Sequence, residues 1–389
     1  MNTKLIYIAN VRIPTEKAHG FQICKMCEEF ASTGIEVELW VPTRRNQLKK
    51  NAFAFYNLAE NFKINKIPCF DFLGWAKYLG WLAFYLQTLI FFNKLIWCKI
   101  DDKNAIIFSR HPEIIWLFSK KGFKTIYECH DWLGKKKRMS LYFLKRASFI
   151  VTTNNHIKNS FLENGFSSQN ILVAPNGIDL NIFDLPLNKQ EALAKLNLSE
   201  KIKNNIAEKK ILLYTGSFRT MGVDKGINEI LEALKVLDSN IFFAAVGGSP
   251  RDIEFYSQMA SGLGVFSRVL LVGHVSQKEL AVWQKTADVL LMPFPKKAHY
   301  EYFMTPLKMF EYMASQRPAI VSDLPSIREI FNEKNCLFCQ PQDPEDLAEK
   351  IKFLLAHEEY AQKIAQQAYL DVQNYTWEKR AENILDFIA

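Results

Sequence analysis

Short apolar runs alternate along the chain with stretches whose apolar residues recur every three or four positions. Runs at residues 5–8, 37–41, 105–108, 125–127 and 149–151 predict strands, and helical periodicity at residues 23–31 and 157–162 falls between them. The strand runs are largely continuous in apolar character, which suits a parallel sheet covered on both faces. The pattern then starts again, with strands predicted at residues 211–214, 241–246, 269–272, 289–291 and 319–321. Helix-start signals accompany this second series. Ser276 with Glu279 and Ser326 with Glu329 fit a capping box, and Asp343 before Pro344 fits an N-cap with a first-turn proline. A stretch rich in Pro and Asn at residues 175–188 separates the two series and is the expected domain boundary. Open α/β sheets take ligands at the carboxyl ends of their strands, so two in tandem predict a site in a cleft between domains.

Composition sharpens this picture. A chain of 389 residues is too long for one ordinary core and fits two domains. With 49% apolar and 23% charged residues it is a folded globular chain, which excludes a fibre or a disordered nucleic-acid arm. The formal charge of +8 is unevenly spread: residues 1–190 hold 26 Lys and Arg against 15 Asp and Glu, the remainder 23 against 26. The N-terminal surplus points to an anionic partner. Seven cysteines, an odd number, and an opening without the apolar core of a signal peptide favour a reducing, cytoplasmic setting. Cys24 with Cys27 and Cys336 with Cys339 have zinc-like spacing, but no His accompanies either pair, so both are expected to be structural.

Residues 78–93 are uncharged and rich in Leu, Phe, Tyr and Trp, yet too short to cross a bilayer and interrupted by Gly80 and Gln87. They read either as a core helix or as a helix lying in a membrane interface. Trp75, Trp81 and Trp97 alternate there with Lys77, Lys94 and Lys99.

Two segments carry candidate chemistry. In residues 304–314, Thr305 suits an N-cap, Pro306 a first helical position, and Leu307 continues the helix. Such a start presents free N–H groups to an anion, Lys308 adds a cation, and Glu311 one turn on could accept hydrogen bonds from ribose hydroxyls. The second segment follows the strand at 211–214. Gly216 permits a sharp turn, Ser217 follows it, and Arg219 with Lys225 brings two cations suited to a diphosphate.

Together these segments resemble the nucleotide-sugar glycosyltransferases of glycosyltransferase family 4, over almost the whole chain. The resemblance rests on residues 173–179, Gly216 through Lys225-Gly226, Val246-Gly247-Gly248, residues 272–275, 287–289 and 305–314, Arg317-Pro318, and Tyr375-Thr376-Trp377-Glu378. It implies the GT-B fold, two facing Rossmann-like domains with a cleft between them. Residues 1–178 with 375–389 would form the acceptor domain and residues 179–374 the nucleotide-sugar domain.

The resemblance also implies roles. Lys225 would contact the donor diphosphate and Glu311 the ribose. The family's first glutamate, eight residues earlier, is Phe303 here, with Glu301 as a substitute, and Ser217 stands where the family often has Arg, with Arg219 two residues on. In the N-terminal half Gly20 would admit the donor phosphate beside Lys17 and His19. His130 would touch the transferred sugar, with His111 and His274 as further sugar or acceptor contacts. The implied reaction is sugar transfer with retention of configuration, from a nucleotide-sugar donor to a glycan or lipid-linked acceptor in polysaccharide or glycolipid synthesis. No Asp-x-Asp motif occurs, so neither a catalytic metal nor a separate cofactor is expected. Lys135, Lys136, Lys137 and Arg138 form a basic run read as an acceptor or anionic membrane surface, which implies peripheral attachment at the inner face of the cell membrane. No nucleic-acid-reading module surrounds it. A catalytically degenerate binding subunit and a GT-B sugar-nucleotide epimerase are the alternatives.

Overall fold

The computed structural model describes residues 4–134, 137–220 and 222–389. The chain forms two compact units, one running to Pro175 and resuming at Trp377–Ala389, the other Asn176–Thr376.

In the first unit, β1 (Lys4–Ile8), β2 (Glu36–Pro42), β3 (Lys63–Ile67), β4 (Ile106–Ser109), β5 (Lys124–Cys129), β6 (Phe149–Thr152) and β7 (Ile171–Val173) make one parallel sheet in the order β3-β2-β1-β4-β5-β6-β7. Leu5 on β1 lies opposite Val37 on one side and Ile106 on the other. One core layer joins Ile6, Ile8 and Ile107 to Phe91, Leu95 and Ile114 on covering helices. The helix Trp81–Trp97 buries Ala83, Gln87, Phe91 and Leu95, a stripe at spacing four, and leaves much of its apolar surface exposed. The helices Ala18–Ser32 and Trp377–Ile388 pack together, with Phe21 edge-on to Trp377. Cys24 and Cys27 are buried in the first of these two helices, where burial raises both thiol pKa values.

In the second unit, β8 (Lys210–Thr215), β11 (Ile241–Val246), β12 (Val269–Val272), β13 (Val289–Met292), β14 (Ala319–Ser322) and β15 (Leu337–Cys339) form a parallel sheet in the order β12-β11-β8-β13-β14-β15. A two-residue hairpin, β9 (Arg219–Thr220) with β10 (Val223–Asp224), extends beyond β8. Ile178 pairs with Thr376, which joins the two ends of this unit. Cys336 and Cys339 are buried and free beside β14.

Two helix starts differ from expectation. The helix Leu307–Ala314 begins one residue late, because Pro306 keeps an extended ψ of 143° and the Asn176 amide holds the Thr305 carbonyl at 2.6 Å. Ser326 is not an N-cap either. It lies inside the short helix Pro325–Arg328, and its hydroxyl donates to the Tyr300 carbonyl at 2.6 Å. Ser276 and Asp343 do cap their helices.

Strand order reverses in both sheets. The chain lays β2 and β3 to one side of β1 and then returns to place β4 on the other. It does the same with β11, β12 and β13 about β8. Adjacent strand ends at β1/β4 and β8/β13 thus send their chains to opposite faces, which opens a crevice. Beside the second crevice, Gly226 holds a φ of 96° at the start of the helix Ile227–Leu234, where a Cβ would overlap the Pro293 carbonyl. Gly226→Ala should therefore destabilise by about 3 kcal/mol or more, combining that overlap with the left-handed penalty. Gly264→Ala has a φ of 72° but nothing within 4 Å, and should lose only about 1–2 kcal/mol. Urea unfolding of both variants measures the difference.

Candidate functional site

The crevice at β8/β13 brings two lysines of the second unit, Lys225 and Lys308, to one turn. Gly216 ends β8 with a φ of 102°, its N–H donating to the Val246 carbonyl at 2.8 Å. A Cβ on neighbouring Gly247 would stand 2.7 Å from the Gly216 oxygen, so the two strand ends approach closely only because both residues are glycine. The hairpin after Ser217 closes when the Lys225 N–H donates to Phe218, and the Lys225 ammonium then donates to the Ser217 hydroxyl at 3.0 Å.

Lys308 approaches the same turn from the helix Leu307–Ala314. Its ammonium sits 3.5 Å from the Tyr214 ring centroid and 5.1 Å from that of Phe294, and it has no hydrogen-bond partner among the described residues. It lies 3.4 Å from the place a Gly216 Cβ would occupy. The helix is held in position by Tyr312, whose hydroxyl accepts from the Thr215 N–H at 3.0 Å and donates to the Leu291 carbonyl at 3.2 Å.

Burial lowers the Lys308 pKa well below the usual lysine range, and the Lys225 charge adds to this. Burial also brings Lys225 down to about 8. Glu311, buried one turn along from Lys308, is pushed up to about 7 by burial, against the pull of that lysine. Two lysines whose charged forms are under-compensated thus stand beside a glycine turn and a helix start.

Arg219 does not join them. Its guanidinium donates to Asp252 at 2.8 Å and lies 4.6 Å from the Phe255 ring centroid, so its charge is matched outside the cradle. Glu301 lies in the turn His299–Phe303 and accepts from the Tyr302 hydroxyl at 2.9 Å, while His274 is exposed after β12.

In the first unit, the β1/β4 crevice and the neighbouring end of β5 hold a buried ion cluster centred on Glu128. Its carboxylate accepts from Tyr7 at 2.6 Å, the Arg110 Nε at 2.7 Å and Arg380 at 2.8 Å, and the His130 Nε2 lies 3.0 Å away. Arg110 also donates to Gln22 at 3.0 Å, and Arg380 to the Pro175 carbonyl at 2.9 Å. Burial alone would raise the Glu128 pKa, but Arg110 and Arg380 help hold it well below the usual carboxylate range. His130 is lowered to about 4 by burial and by Arg110, against the pull of Glu128, so its imidazole is neutral at ordinary pH.

His19 and His111 stand nearby. Burial with Arg110 brings His19 to about 4, and His111 accepts the Asn10 N–H on Nε2 at 3.0 Å. Lys17 is exposed before the helix Ala18–Ser32. A Cβ on Gly20 would overlap the Tyr56 hydroxyl and the Thr15 methyl, so that side of the residue is an internal packing contact. In the basic run, Lys137 lies 5.3 Å from the Trp132 ring centroid and Arg138 is exposed, while Lys135 and Lys136 fall outside the described residues.

Glu128 and Arg380 were not among the sequence-derived site residues. The available signal was a lone carboxylate inside the apolar run of β5, which needs cations if buried.

Two reversed parallel sheets, with polar clusters at their switch points, define the GT-B class of two-domain transferases. The chain belongs to the group 1 glycosyltransferases: the family model for glycosyl transferases group 1 matches residues 198–371, and that for glycosyltransferase family 4 matches residues 21–182. It is 26% identical over 229 residues to the D-inositol 3-phosphate glycosyltransferase of Xylanimonas cellulosilytica, covering 58% of this chain and 52% of that protein. An uncharacterised glycosyltransferase of Methanocaldococcus jannaschii is 27% identical over 219 residues, covering 56% of this chain and 53% of that protein. The chain spans about half the length of the curated relatives it matches. The fold is similar to that of Anabaena HepE, solved in complex with UDP, with a TM-score of 0.72 at 14% identity over 99% of each chain. Sucrose-phosphate synthase from Thermosynechococcus elongatus gives 0.73 at 18% identity, covering 99% of this chain and 98% of that one.

The buried cluster sets two expectations. Glu128→Ala leaves Arg110 and Arg380 uncompensated and should cost about 3–5 kcal/mol in urea unfolding. Stability should also fall as pH drops from about 6.5 toward 4, because unfolded histidine takes up a proton there while His130 and His19 in the native state do not. His130→Gln should flatten part of that slope, as read from unfolding midpoints across this range.

Proposed function

We propose that the chain transfers a sugar, with retention of configuration, from a nucleotide-diphosphate sugar to a glycan or lipid-linked acceptor. The observation that carries this reading is the cradle at β8/β13. Lys308, buried without a hydrogen-bond partner, and Lys225 stand at one glycine turn, with Glu311 a helical turn away.

A diphosphate placed against Gly216, Ser217 and the start of the helix Leu307–Ala314 would meet both ammonium groups and free backbone N–H groups. The Glu311 carboxylate would accept from ribose hydroxyls. When the donor C1–O bond breaks, negative charge grows on the leaving phosphate, and cations already fixed there stabilise that change without reorganising. The acceptor hydroxyl oxygen bonds to C1 on the same face, and its proton passes to the departing phosphate oxygen. This scheme assigns phosphate neutralisation to the two lysines and uses no metal. We assign acceptor recognition to the first unit, where neutral His130 offers imidazole nitrogen to sugar hydroxyls. Phe303 in place of the family's first glutamate favours a second reading, a subunit that binds donor without turning it over.

Thermal-shift screening against UDP-, GDP-, ADP- and dTDP-sugars tests the proposal. One of them should raise the melting temperature, and release of nucleoside diphosphate separates turnover from binding alone. Lys225→Met and Lys308→Met should each weaken donor binding by about 2 kcal/mol, on the order of thirtyfold. Glu311 must be ionised and both Lys225 and Lys308 protonated on binding, so affinity should decline as pH falls through about 7 and again as it rises through about 8, with the lowered pKa of Lys308 adding to proton uptake. Calorimetry in buffers of different ionisation enthalpy reports the protons taken up.

A further inference from the structure

The helix Trp81–Trp97 has two apolar faces, and the fold uses only one. Ala83, Gln87, Phe91 and Leu95 pack into the sheet, while Trp81, Tyr85, Leu89 and Ile96 recur on the other side at intervals of four, four and seven and face solvent. Trp81 and Trp97 are each 78% exposed and Tyr78, in the preceding turn, 80%. Exposed large apolar side chains elsewhere in the described residues occur mostly singly, whereas these form one stripe. A monomer rarely leaves so much contiguous aromatic surface in water.

The charge around the stripe indicates what covers it. Between Asp71 and Asp101 the sequence has no acidic residue and three lysines, Lys77, Lys94 and Lys99. From residue 132 to 162 it again has no acidic residue, and seven Lys or Arg. The helix Lys137–Leu144, which lies in this second stretch, belongs to the same layer. It packs on the helix Pro112–Lys120, with Trp116 5.5 Å from Phe143, and that helix in turn packs on Trp81–Trp97. Tyr142 and Met139 on it are 64% and 49% exposed, beside Lys145 and Arg146. Lys121 at the end of the middle helix donates to the carbonyls of Leu95 and Ile96, fixing the end of the long one.

We propose that this face, centred on the outward stripe of Trp81–Trp97, docks on an anionic lipid bilayer. The aromatic rings enter the headgroup region and the flanking lysines and arginines meet lipid phosphates. A helix with Trp at both ends, apolar outward positions and cationic flanks has the composition of an interfacial element. A neutral apolar partner would not account for two basic stretches without a single acid. The helix cannot span the bilayer, since no described helix is long and apolar enough to cross one. The inference does not depend on the transfer reaction, because docking needs neither donor nor acceptor.

Co-sedimentation of the full chain with vesicles tests it. The protein should pellet with phosphatidylcholine containing phosphatidylglycerol, pellet much less with phosphatidylcholine alone, and be released by high salt. Its tryptophan emission should shift to the blue on binding. The variant Trp81→Ser/Trp97→Ser should lose binding at least severalfold while keeping the wild-type melting temperature, since both rings are exposed. Lys77→Glu/Lys94→Glu should remove the preference for anionic lipid. Wild-type protein remaining in the supernatant with both vesicles would overturn the proposal, as would equal pelleting of the serine variant. A concentration-dependent dimer abolished by the serine variant, without vesicle binding, would assign the face to a second copy instead.

Discussion

The reversal of strand order in each parallel sheet is the constraint on which the rest depends. Where neighbouring strands send their chains to opposite faces, no crossover covers the strand ends, and backbone groups and side chains there face a crevice. In the second unit, paired glycines at the adjoining ends of β8 and β11, Gly216 and Gly247, let backbone stand against backbone beside that crevice. Tyr312 then ties the helix Leu307–Ala314 to the ends of β8 and β13, which brings Lys308 and Glu311 to the same spot.

The two crevices treat charge in opposite ways. At β1/β4, a carboxylate removed from water is matched by Arg110, Arg380 and the Tyr7 hydroxyl, and the arrangement joins the chain's last helix to its first strands. At β8/β13, a buried ammonium is met by the faces of Tyr214 and Phe294 and by the charge of Glu311 one turn along, with no hydrogen-bond partner among the described residues. Ring faces offset part of a lost hydration shell and supply no hydrogen-bond acceptor. The first arrangement satisfies its central carboxylate and builds structure, although Arg110 Nη2 and His130 Nε2 have no hydrogen-bond partner among the described residues. The second remains electrostatically incomplete, which is what the proposed donor diphosphate would complete.

Much of the fold was legible in sequence because parallel strands leave long apolar runs. What was missed follows from the same physics. The edge strand β3 reads Lys-Ile-Asn-Lys-Ile, polar because one of its sides and most of its surface meet water, and the two-residue strands β9 and β10 are too short to carry a period. Lys225, Lys308 and Glu311 were recognisable because helix starts and glycine turns are local signals. Glu128 and Arg380, 252 residues apart, were not, since no local pattern pairs them. Arg219 shows the same limit from the other side. Its charge was visible, but Asp252 lies on a helix whose register against the hairpin only the fold determines.

Net charge misplaces the anion chemistry if read as a map of it. The C-terminal remainder, with fewer basic than acidic residues, contains the lysine cradle, and the N-terminal surplus includes lysines that flank exposed aromatic rings. Burial explains the difference. One lysine in a low-dielectric crevice acts strongly on a phosphate because water does not screen it, whereas surface lysines act weakly one by one and gain effect only in numbers over a broad charged plane. A small anion is therefore held by few charges of high leverage, and an extended anionic surface by many of low leverage. The two proposed roles divide along this chain in that way.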